Sequence, residues 1–331
     1  MQIALTHTAH DRANYYGEEA LAALRHLGDV RLNPEDHPLR AAELVEFARG
    51  CDVIVSDRQT AGQREVFDAL PDLKAFLRVA VDIRNIDLAA ASRQGVLVCN
   101  ASPGFTDSVA ELAIGFLVDL ARGVSCAVLD YRAERPPRIR MGRQLSGASL
   151  GIIGYGVIGR RVAELARSLG MRVFVTDPRQ KAEEGIEQLG LMDLLPRSRF
   201  VLCLAAATPE TEGVMGGEAF ATMPQGSFFL NLSRGNLVDE AALEAALESG
   251  HLAGAALDVG QAPDQMPSPR LARRSDVIAT PHIGGLTPEA VQHQAFDTVR
   301  QVEALIAGRM PQGAVNPEAA HRLLQLGLRA A

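Results

Sequence analysis

A glycine run in the middle of the chain constrains the fold more than any other feature. Gly154, Gly156 and Gly159 have the spacing G-x-G-x-x-G. An apolar run at 150–153 precedes them, and residues 160–169 follow with the spacing of an amphipathic helix. In a strand-turn-helix unit the first glycine permits the turn, the second permits close approach of a ligand, and the third permits helix–strand packing. The run therefore predicts a doubly wound α/β domain.

The same run predicts a dinucleotide site. A pyrophosphate would lie at the helix N-terminus, where free N–H groups and the helix dipole favour an anion. Asp177 ends the next predicted strand and would accept hydrogen bonds from the adenosine ribose hydroxyls. Its carboxylate would repel a 2′-phosphate, which favours NAD over NADP, although Arg179 weakens that exclusion. The alternative interpretation is a glycine-rich turn without a ligand.

Short apolar runs alternate with helix-period segments along the whole chain. The predicted strands are residues 3–6, 53–56, 75–79, 96–99, 149–153, 172–176, 200–204, 227–231, 253–257 and 277–279. Such alternation is typical of parallel sheets covered by helices on both faces. The length of 331 residues is enough for two domains. The predicted fold class is therefore α/β with two parallel-sheet domains.

Two segments suggest domain boundaries. Residues 100–104 contain Pro and Gly and precede a long predicted helix at 108–122. A second helix is predicted to begin at Thr287-Pro288, with Thr as N-cap and Pro at the first helical position. Together with the resemblance described below, this predicts a discontinuous domain of residues 1–100 and 290–331 and a central domain of residues 101–289.

Composition excludes several classes of partner. The net charge of −7 argues against a nucleic-acid partner. The apolar stretch 109–129 contains three charged residues, which predicts a buried helix rather than a membrane span. The chain opens on a strand-like run rather than a signal peptide, so we expect a cytoplasmic protein with no membrane partner. The cysteines are predicted to be reduced, buried thiols with no disulfide or metal: Cys51, Cys99, Cys126 and Cys203.

Three polar residues each follow a predicted strand of the central domain. They are Arg234, Asp258 and His282. Because the carboxyl ends of parallel strands form the ligand crevice of a doubly wound sheet, these side chains are expected to converge. Taken singly, each also has an ordinary structural explanation, such as an ion-paired arginine or a structural histidine.

Several motifs in order resemble the D-isomer-specific 2-hydroxyacid dehydrogenase family. Besides the glycine loop they are Asn85-Ile86-Asp87, Ser108-Val109-Ala110-Glu111, Thr208-Pro209-Glu210-Thr211, Leu232-Ser233-Arg234-Gly235-Asn236-Leu237-Val238-Asp239-Glu240 and Thr280-Pro281-His282-Ile283-Gly284-Gly285. The resemblance implies a Rossmann nucleotide-binding domain, a smaller flavodoxin-like substrate domain, and a homodimer.

The resemblance also implies residue roles. His282 would exchange the proton with the substrate oxygen, Arg234 would bind the substrate carboxylate and polarise the carbonyl, and Asp258 would contact the nicotinamide carboxamide. The implied cofactor-binding residues are Val109, Gly154, Tyr155, Gly156, Val157, Ile158, Gly159, Asp177, Ala205, Leu232, Ser233, Arg234, Asp258, His282, Gly284 and Gly285.

One departure from the family pattern concerns the partner of the histidine. The family usually has a Glu that orients the catalytic His at the position of Pro263, which can neither accept a hydrogen bond nor carry charge. We hypothesise that Asp264 or Gln265 takes over this role. The alternatives are that His282 works without a protein partner, or that activity is weak.

The other departures concern substrate binding. Ala80-Val81-Asp82 stands where many members have a G-x-G that binds the substrate carboxylate. We expect Arg84 or Arg58 to contact a polar or second acidic group of the substrate; a solvated or Asp-paired arginine is the alternative. The basic loop 132–143 is either a solvated surface or the rim of a neighbouring subunit's active site.

The predicted function is hydride transfer between NAD and a small 2-hydroxy or 2-oxo acid. Within enzymes the alternative is a formate- or phosphite-type dehydrogenase on the same fold. Outside enzymes it is an NAD-binding regulatory protein, as in the co-repressor relatives of the family. Fold alone does not separate these functions.

Overall fold

The computed structural model describes residues 1–137, 139 and 141–326. The chain divides into two compact units. The first unit is Met1–Gly104 with Pro288–Ala331, and the second unit is Phe105–Thr287.

Twelve strands occur in the described residues. In the first unit they are β1 Gln2–Leu5, β2 Asp29–Leu32, β3 Val53–Ser56, β4 Ala75–Arg78 and β5 Leu97–Cys99. In the second unit they are β6 Ser149–Ile153, β7 Arg172–Thr176, β8 Glu187–Gln188, β9 Phe200–Cys203, β10 Ser227–Asn231, β11 Leu252–Leu257 and β12 Val277–Ala279.

Helices connect the strands in both units. They are α1 Ala9–Tyr15, α2 Glu18–Leu27, α3 Ala41–Phe47, α4 Arg64–Ala69, α5 Leu88–Arg93, α6 Thr106–Arg122, α7 Val124–Arg132, α8 Val157–Ser168, α9 Leu191–Leu194, α10 Gly217–Thr222, α11 Glu240–Glu248, α12 Pro269–Ala272 and α13 Pro288–Ile306. Short 3₁₀ turns are Leu195–Arg197, Gly235–Leu237, Pro263–Gln265, Pro317–Ala319 and His321–Leu326.

The first unit is built on a five-stranded parallel sheet. Its strand order is β2-β1-β3-β4-β5. This is the flavodoxin-like order, in which ligands bind at the point between β1 and β3 where the strand order reverses. Strands β3, β4 and β5 are buried throughout, as expected for a sheet covered on both faces. Helix α13 completes this unit by burying Ala295, Val299, Val302 and Leu305 in its core.

The second unit is built on a seven-stranded parallel sheet. Its order is β12-β11-β10-β9-β6-β7-β8. Strand β6 lies at the switch point, with β7 on one side and β9 on the other. The loop that follows β6 therefore opens at the ligand-binding edge of a Rossmann sheet. The predicted fold class is confirmed in both units.

Two strands were not predicted from the sequence, and both lie at the edge of a sheet. β2 lies at one edge of the first sheet with its residues exposed or half-buried, and β8 lies at one edge of the second sheet with both residues exposed. An edge strand needs no continuous apolar run because one side of its ladder faces solvent. Apolar runs therefore identified only the interior strands and the edge strands β5 and β12.

The apolar stretch 109–129 is two helices rather than one. Gly123 ends α6 in the left-handed conformation (φ 66°), and α7 leaves at an angle of 70°. Helix α6 has a buried face, but α7 has no buried residue, so the prediction of a buried helix is right for α6 and wrong for α7. For the same reason the prediction of a buried thiol is wrong for Cys126, which lies on α7 and is only half-buried, whereas the other three cysteines are buried. Within the described ranges no single helix is long and apolar enough to cross a membrane; the bent pair α6–α7 meets that test only when counted together.

Candidate active site

The glycine loop is shaped by close backbone contacts. Gly154 has a φ of +97°, and a Cβ there would lie 2.6 Å from the backbone N of Ala205. A Cβ at Gly159 would collide with the carbonyl oxygen of Gly154, so α8 packs directly on the loop. A Cβ at Gly156 would meet nothing within 4 Å. Two glycines are thus required by packing, whereas the third leaves open space in front of the helix.

The N-terminus of α8 fits a pyrophosphate. Gly156 is the N-cap, and no described side chain caps the first turn. Val157 at the first helical position is exposed, and Ile158 is half-buried. Free N–H groups, a helix dipole and a glycine facing open space are the requirements of an anion site. The residues present therefore fit the phosphates of a dinucleotide.

Asp177 ends β7 beside this loop. Its carboxylate accepts the backbone N–H of Tyr155, Arg179 and Gln180, each at 2.8 Å. Partial burial raises the pKa of Asp177, but these donors outweigh that effect and hold the pKa below its ordinary value. The side chain is partly exposed, and a carboxylate has about four acceptor positions. Asp177 can therefore still accept a ribose hydroxyl.

The side chain of Tyr155 belongs to the core. It is fully buried, and the guanidinium of Arg160 lies 5.3 Å from its ring centroid. Arg160 also bonds Gln180 at 2.8 Å, which ties α8 to the loop after β7. Only the backbone of Tyr155 can therefore face a cofactor.

The predicted residues after β9 and β10 join two loops of the carboxyl edge. The hydroxyl of Ser233 donates to the carbonyl of Ala205 at 2.5 Å, and Leu232 is buried. Arg234 is half-buried, and its Nη1 donates to the carbonyl of Ser233 at 2.7 Å. The loop is held further by Asn231, whose amide bonds the carbonyl of Arg234 at 3.0 Å.

The structure places Arg234, Asp258 and His282 at the ends of three adjacent strands. They follow β10, β11 and β12, which are neighbours in the sheet. His282 is half-buried and has a φ of +56°, which is uncommon for a residue other than glycine. This edge of the sheet thus carries a cation, a carboxylate and an imidazole.

Asp258 is buried, and its carboxylate accepts hydrogen bonds from the loop that bears His282. Its Oδ1 accepts the hydroxyl of Thr280 at 2.6 Å and the N–H of Ile283 at 2.8 Å, and its Oδ2 accepts the N–H of Gly284 at 2.8 Å. A Cβ at Gly284 would lie 2.8 Å from this carboxylate and 3.4 Å from Val109. Gly285 packs on Phe105, so the loop rests on the start of α6.

The loop after β11 also contains a residue with a positive φ, Gln265. Pro263–Gln265 forms a 3₁₀ turn, and Gln265 has a φ of +59°. The side-chain oxygen of Gln265 is buried without a hydrogen-bond partner in the described part of the chain. The side chain of Asp264 lies outside the described residues.

The predicted substrate residues of the first unit follow β3 and β4. The carbonyls of Ala80 and Val81 accept hydrogen bonds from Ala101 and Asn100. Arg84 is exposed and pairs with Asp82 through Nε and Nη2, at distances from 2.6 to 3.0 Å.

Arg58 lies in the loop after β3 and differs from Arg84 in its partners. It is exposed, and no side-chain bond joins it to another residue within the described ranges. The basic loop 132–143 is described except for Arg138 and Arg140; Ile139 and Met141 in it are fully exposed.

A buried polar cluster in the first unit was missed by sequence reasoning. Arg78 is fully buried, donates to the backbone carbonyls of Asp57 and Thr60, and reaches Asn85 Oδ1 at 2.6 Å. Burial lowers the pKa of Arg78 to about 10, opposed by Asp57. The available signal was a charged residue at the end of the apolar run 75–79.

His7 belongs to the same edge of the first sheet. It is 2% exposed, and its ring lies 5.1 Å from that of Tyr16. Burial lowers the pKa of His7 to about 4, against the opposing charge of Asp57. The carboxylate of Asp57 is itself bonded by the hydroxyls of Thr6 and Thr60, both at 2.5 Å.

Comparison with known proteins identifies the family. Residues 114–284 match the sequence profile of the D-isomer specific 2-hydroxyacid dehydrogenase, NAD binding domain. The chain is 33% identical over 305 residues to D-3-phosphoglycerate dehydrogenase of Methanocaldococcus jannaschii, covering 90% of this chain and 57% of that protein. It is 34% identical over 291 residues to the human D-3-phosphoglycerate dehydrogenase, covering 86% of this chain and 54% of that one.

A solved structure extends the likeness to the whole fold. The TT0316 protein of Thermus thermophilus is 30% identical, with a TM-score of 0.84 over 95% of this chain and 100% of that one. The protein belongs to the D-isomer specific 2-hydroxyacid dehydrogenase family. Its chain spans little more than half the length of the curated relatives that it matches.

Proposed function

We propose that this protein is an oxidoreductase that transfers a hydride between NAD and a small 2-hydroxy or 2-oxo acid. The observation that carries the proposal is the placement of Arg234, Asp258 and His282 after three adjacent strands of the sheet whose switch-point loop fits a dinucleotide. In such sheets the ligand lies beyond the carboxyl ends of the strands.

Each of these side chains has a chemical task in the proposal. The guanidinium of Arg234 is a permanently charged fork that suits a carboxylate and polarises the neighbouring carbonyl. His282 gives a proton to the carbonyl oxygen during reduction and takes the hydroxyl proton during oxidation. Bound NADH would supply the hydride, and bound NAD would accept it.

NAD is the proposed cofactor rather than NADP. The charged carboxylate of Asp177 beside the glycine loop favours free ribose hydroxyls and disfavours a 2′-phosphate. The loop 154–159, Val109 and the segments after β9, β10, β11 and β12 would complete the binding surface. Four cysteines without a disulfide fit a reducing compartment, and we propose the cytoplasm.

Arg58 is the better of the two arginines for a second acidic group on the substrate. Arg84 is already neutralised by Asp82, whereas Arg58 is exposed and carries no ion pair in the described chain. We expect Arg58→Ala to raise KM for dicarboxylates and phosphorylated acids more than for monocarboxylates, and Arg84→Ala to have the smaller effect. If both variants keep the wild-type KM for every substrate, neither arginine binds the substrate.

The decisive experiment follows NADH loss with a panel of 2-oxo acids. The panel contains glyoxylate, hydroxypyruvate, phenylpyruvate and oxaloacetate, and NAD reduction with D-3-phosphoglycerate covers the activity named in the relatives. Turnover of at least one acid, abolished in His282→Ala and in Arg234→Ala, is expected. Tight NADH binding without turnover of any acid would instead favour a regulatory protein.

We also propose that Gln265 or Asp264 orients His282. The side-chain oxygen of Gln265, which is buried without a hydrogen-bond partner among the described residues, makes its amide one candidate, and Asp264 is the other. If either orients the histidine, Gln265→Ala or Asp264→Asn will lower turnover and shift its acid-side pH limit. Near wild-type rates and unchanged pH profiles in both variants would exclude them.

We also propose a homodimer formed through the exposed side of α7. Val124, Val128, Leu129 and Tyr131 are 41–72% exposed there, an apolar surface that a monomer would leave in water. Leu129→Glu is expected to shift the molar mass measured by light scattering from dimer to monomer. Leu286→Glu is the control, because Leu286 is also exposed but lies in a loop of the same unit outside α7. A wild-type monomer at micromolar concentration would disprove the dimer.

A further inference from the structure

The loop that carries His282 has no regular secondary structure of its own. It runs from Thr280 to Gly285 after β12, and a bond from the backbone N of His282 to the carbonyl of Thr280 (2.9 Å) tightens it. A loop of this kind keeps a side chain in place only if its backbone is fixed from outside.

The carboxylate of Asp258 accepts hydrogen bonds from residues on both sides of His282. It binds the Thr280 hydroxyl before the histidine and the N–H groups of Ile283 and Gly284 after it, all between 2.6 and 2.8 Å. Hydrogen bonds to a charged acceptor are roughly twice as strong as neutral ones. Because Asp258 is only 2% exposed, water does not compete with these donors.

The backbone of His282 adopts a conformation that is uncommon for a residue other than glycine. At φ +56° the histidine occupies the left-handed region, which a free loop would seldom populate. Gly284 packs so closely on Asp258 that a Cβ would lie 2.8 Å from its Oδ2. Pro263, in the neighbouring loop, has no side chain that can accept a hydrogen bond.

We propose that Asp258 is the positioning residue of His282: its carboxylate holds residues 280–284 in the strained conformation that aims the imidazole. The inference rests on the proposed function for the role of His282, and it assigns Asp258 a task that is independent of the cofactor. A carboxylate has about four acceptor positions, and three are used here. One on Oδ2 is left for a further donor, such as a carboxamide.

Thr280→Val tests this task without touching the carboxylate. The substitution removes one of the three donors while Asp258 keeps its charge and its remaining acceptor position. We expect kcat to fall about 10-fold or more, as a small misplacement of a catalytic group does, with the NADH dissociation constant unchanged. Thr280→Ser restores the hydroxyl and should recover most of the loss. Asp258→Asn should lower both kcat and NADH affinity.

The second readout needs neither cofactor nor turnover. The imidazole resonances of the eight histidines are followed by NMR against pH in the cofactor-free protein, with His282 assigned from His282→Ala. In Thr280→Val and Asp258→Asn we expect the His282 signal to move or broaden while the others stay in place. Asp239→Asn is the control, because this carboxylate also bonds two backbone N–H groups, at the start of α11.

The two readouts separate the inference from the proposed function. An unchanged His282 resonance together with an unchanged kcat in Thr280→Val would overturn the positioning role. If no 2-oxo acid is turned over, the proposed function fails, but the NMR comparison still decides whether Asp258 fixes the loop. A shift of all histidine signals would indicate general unfolding and would also overturn the specific role.

Discussion

Acid sensitivity of the first unit should be dominated by His7. The histidine is 2% exposed, and burial lowers its pKa to about 4, compared with 6.5 for the unperturbed side chain. Between these two values the unfolded chain binds a proton that the folded chain does not. The free energy of unfolding therefore has its full value well above pH 6.5 and falls as the pH drops towards 4.

The size of the effect follows from the two pKa values. A difference of about 2.5 units corresponds to about 3 kcal/mol at pH 4, because one unit is worth 1.36 kcal/mol. At pH 5.0, where the folded form is still mostly neutral, the loss is about 2 kcal/mol relative to pH 7.5. Such a loss is a large part of the stability of an ordinary domain.

Urea unfolding at pH 7.5 and 5.0 measures this loss. The protein has no Trp, so the transition is followed by circular dichroism. The free energy of unfolding of wild type should drop by about 2 kcal/mol more than that of His7→Gln, which cannot take up the proton. His10→Gln, at an exposed position nearby, serves as control and should keep the wild-type difference. The same pH dependence in His7→Gln and wild type would refute the reasoning.

Three further predictions concern single positions. Gly159→Ala should lower the free energy of unfolding by about 1–3 kcal/mol because its Cβ collides with the Gly154 carbonyl. Gly156→Ala, at a position that faces open space, should change the free energy of unfolding by no more than about 1 kcal/mol. Equal losses of stability in the two variants would contradict the packing argument. Arg78→Met should cost about 2–4 kcal/mol in urea unfolding because its three oxygen acceptors lose their buried donor, and a cost below about 0.5 kcal/mol would count against it. Asp177→Ala should raise NADPH affinity relative to NADH by about 10-fold, measured by fluorescence titration, and an unchanged ratio would show that Asp177 does not select the cofactor.

Much of the fold could be read from local patterns. The interior strands are continuous apolar runs because both faces of these sheets are covered. Gly154 and Gly159 after β6 must be glycine because the backbone around these two positions is crowded. The edge strands β2 and β8 left no such pattern, since their burial is partial or absent. The break of the apolar stretch at Gly123 was likewise invisible, because helical spacing continues on both sides of it.

The candidate site shows a different limit. Arg84 could be solvated, paired or substrate-binding until the structure placed it on Asp82. The bonds of Asp258 to the loop 280–284 join residues more than 20 positions apart, and no local pattern signals them. The buried cluster around Arg78 depends on residues from three segments of the first unit, so only the folded chain reveals it.

The sequence alone determined the α/β class, the glycine turn and the family, because each depends on residues adjacent along the chain: a run of apolar side chains, three glycines at fixed spacing, and short motifs in order. The tertiary structure alone decided which charges are neutralised, which polar groups are buried and what fixes the loop of His282. Those properties depend on distances between segments that the sheet topology brings together, and a hydrogen bond or a pKa responds to the distance in space rather than to the separation in sequence.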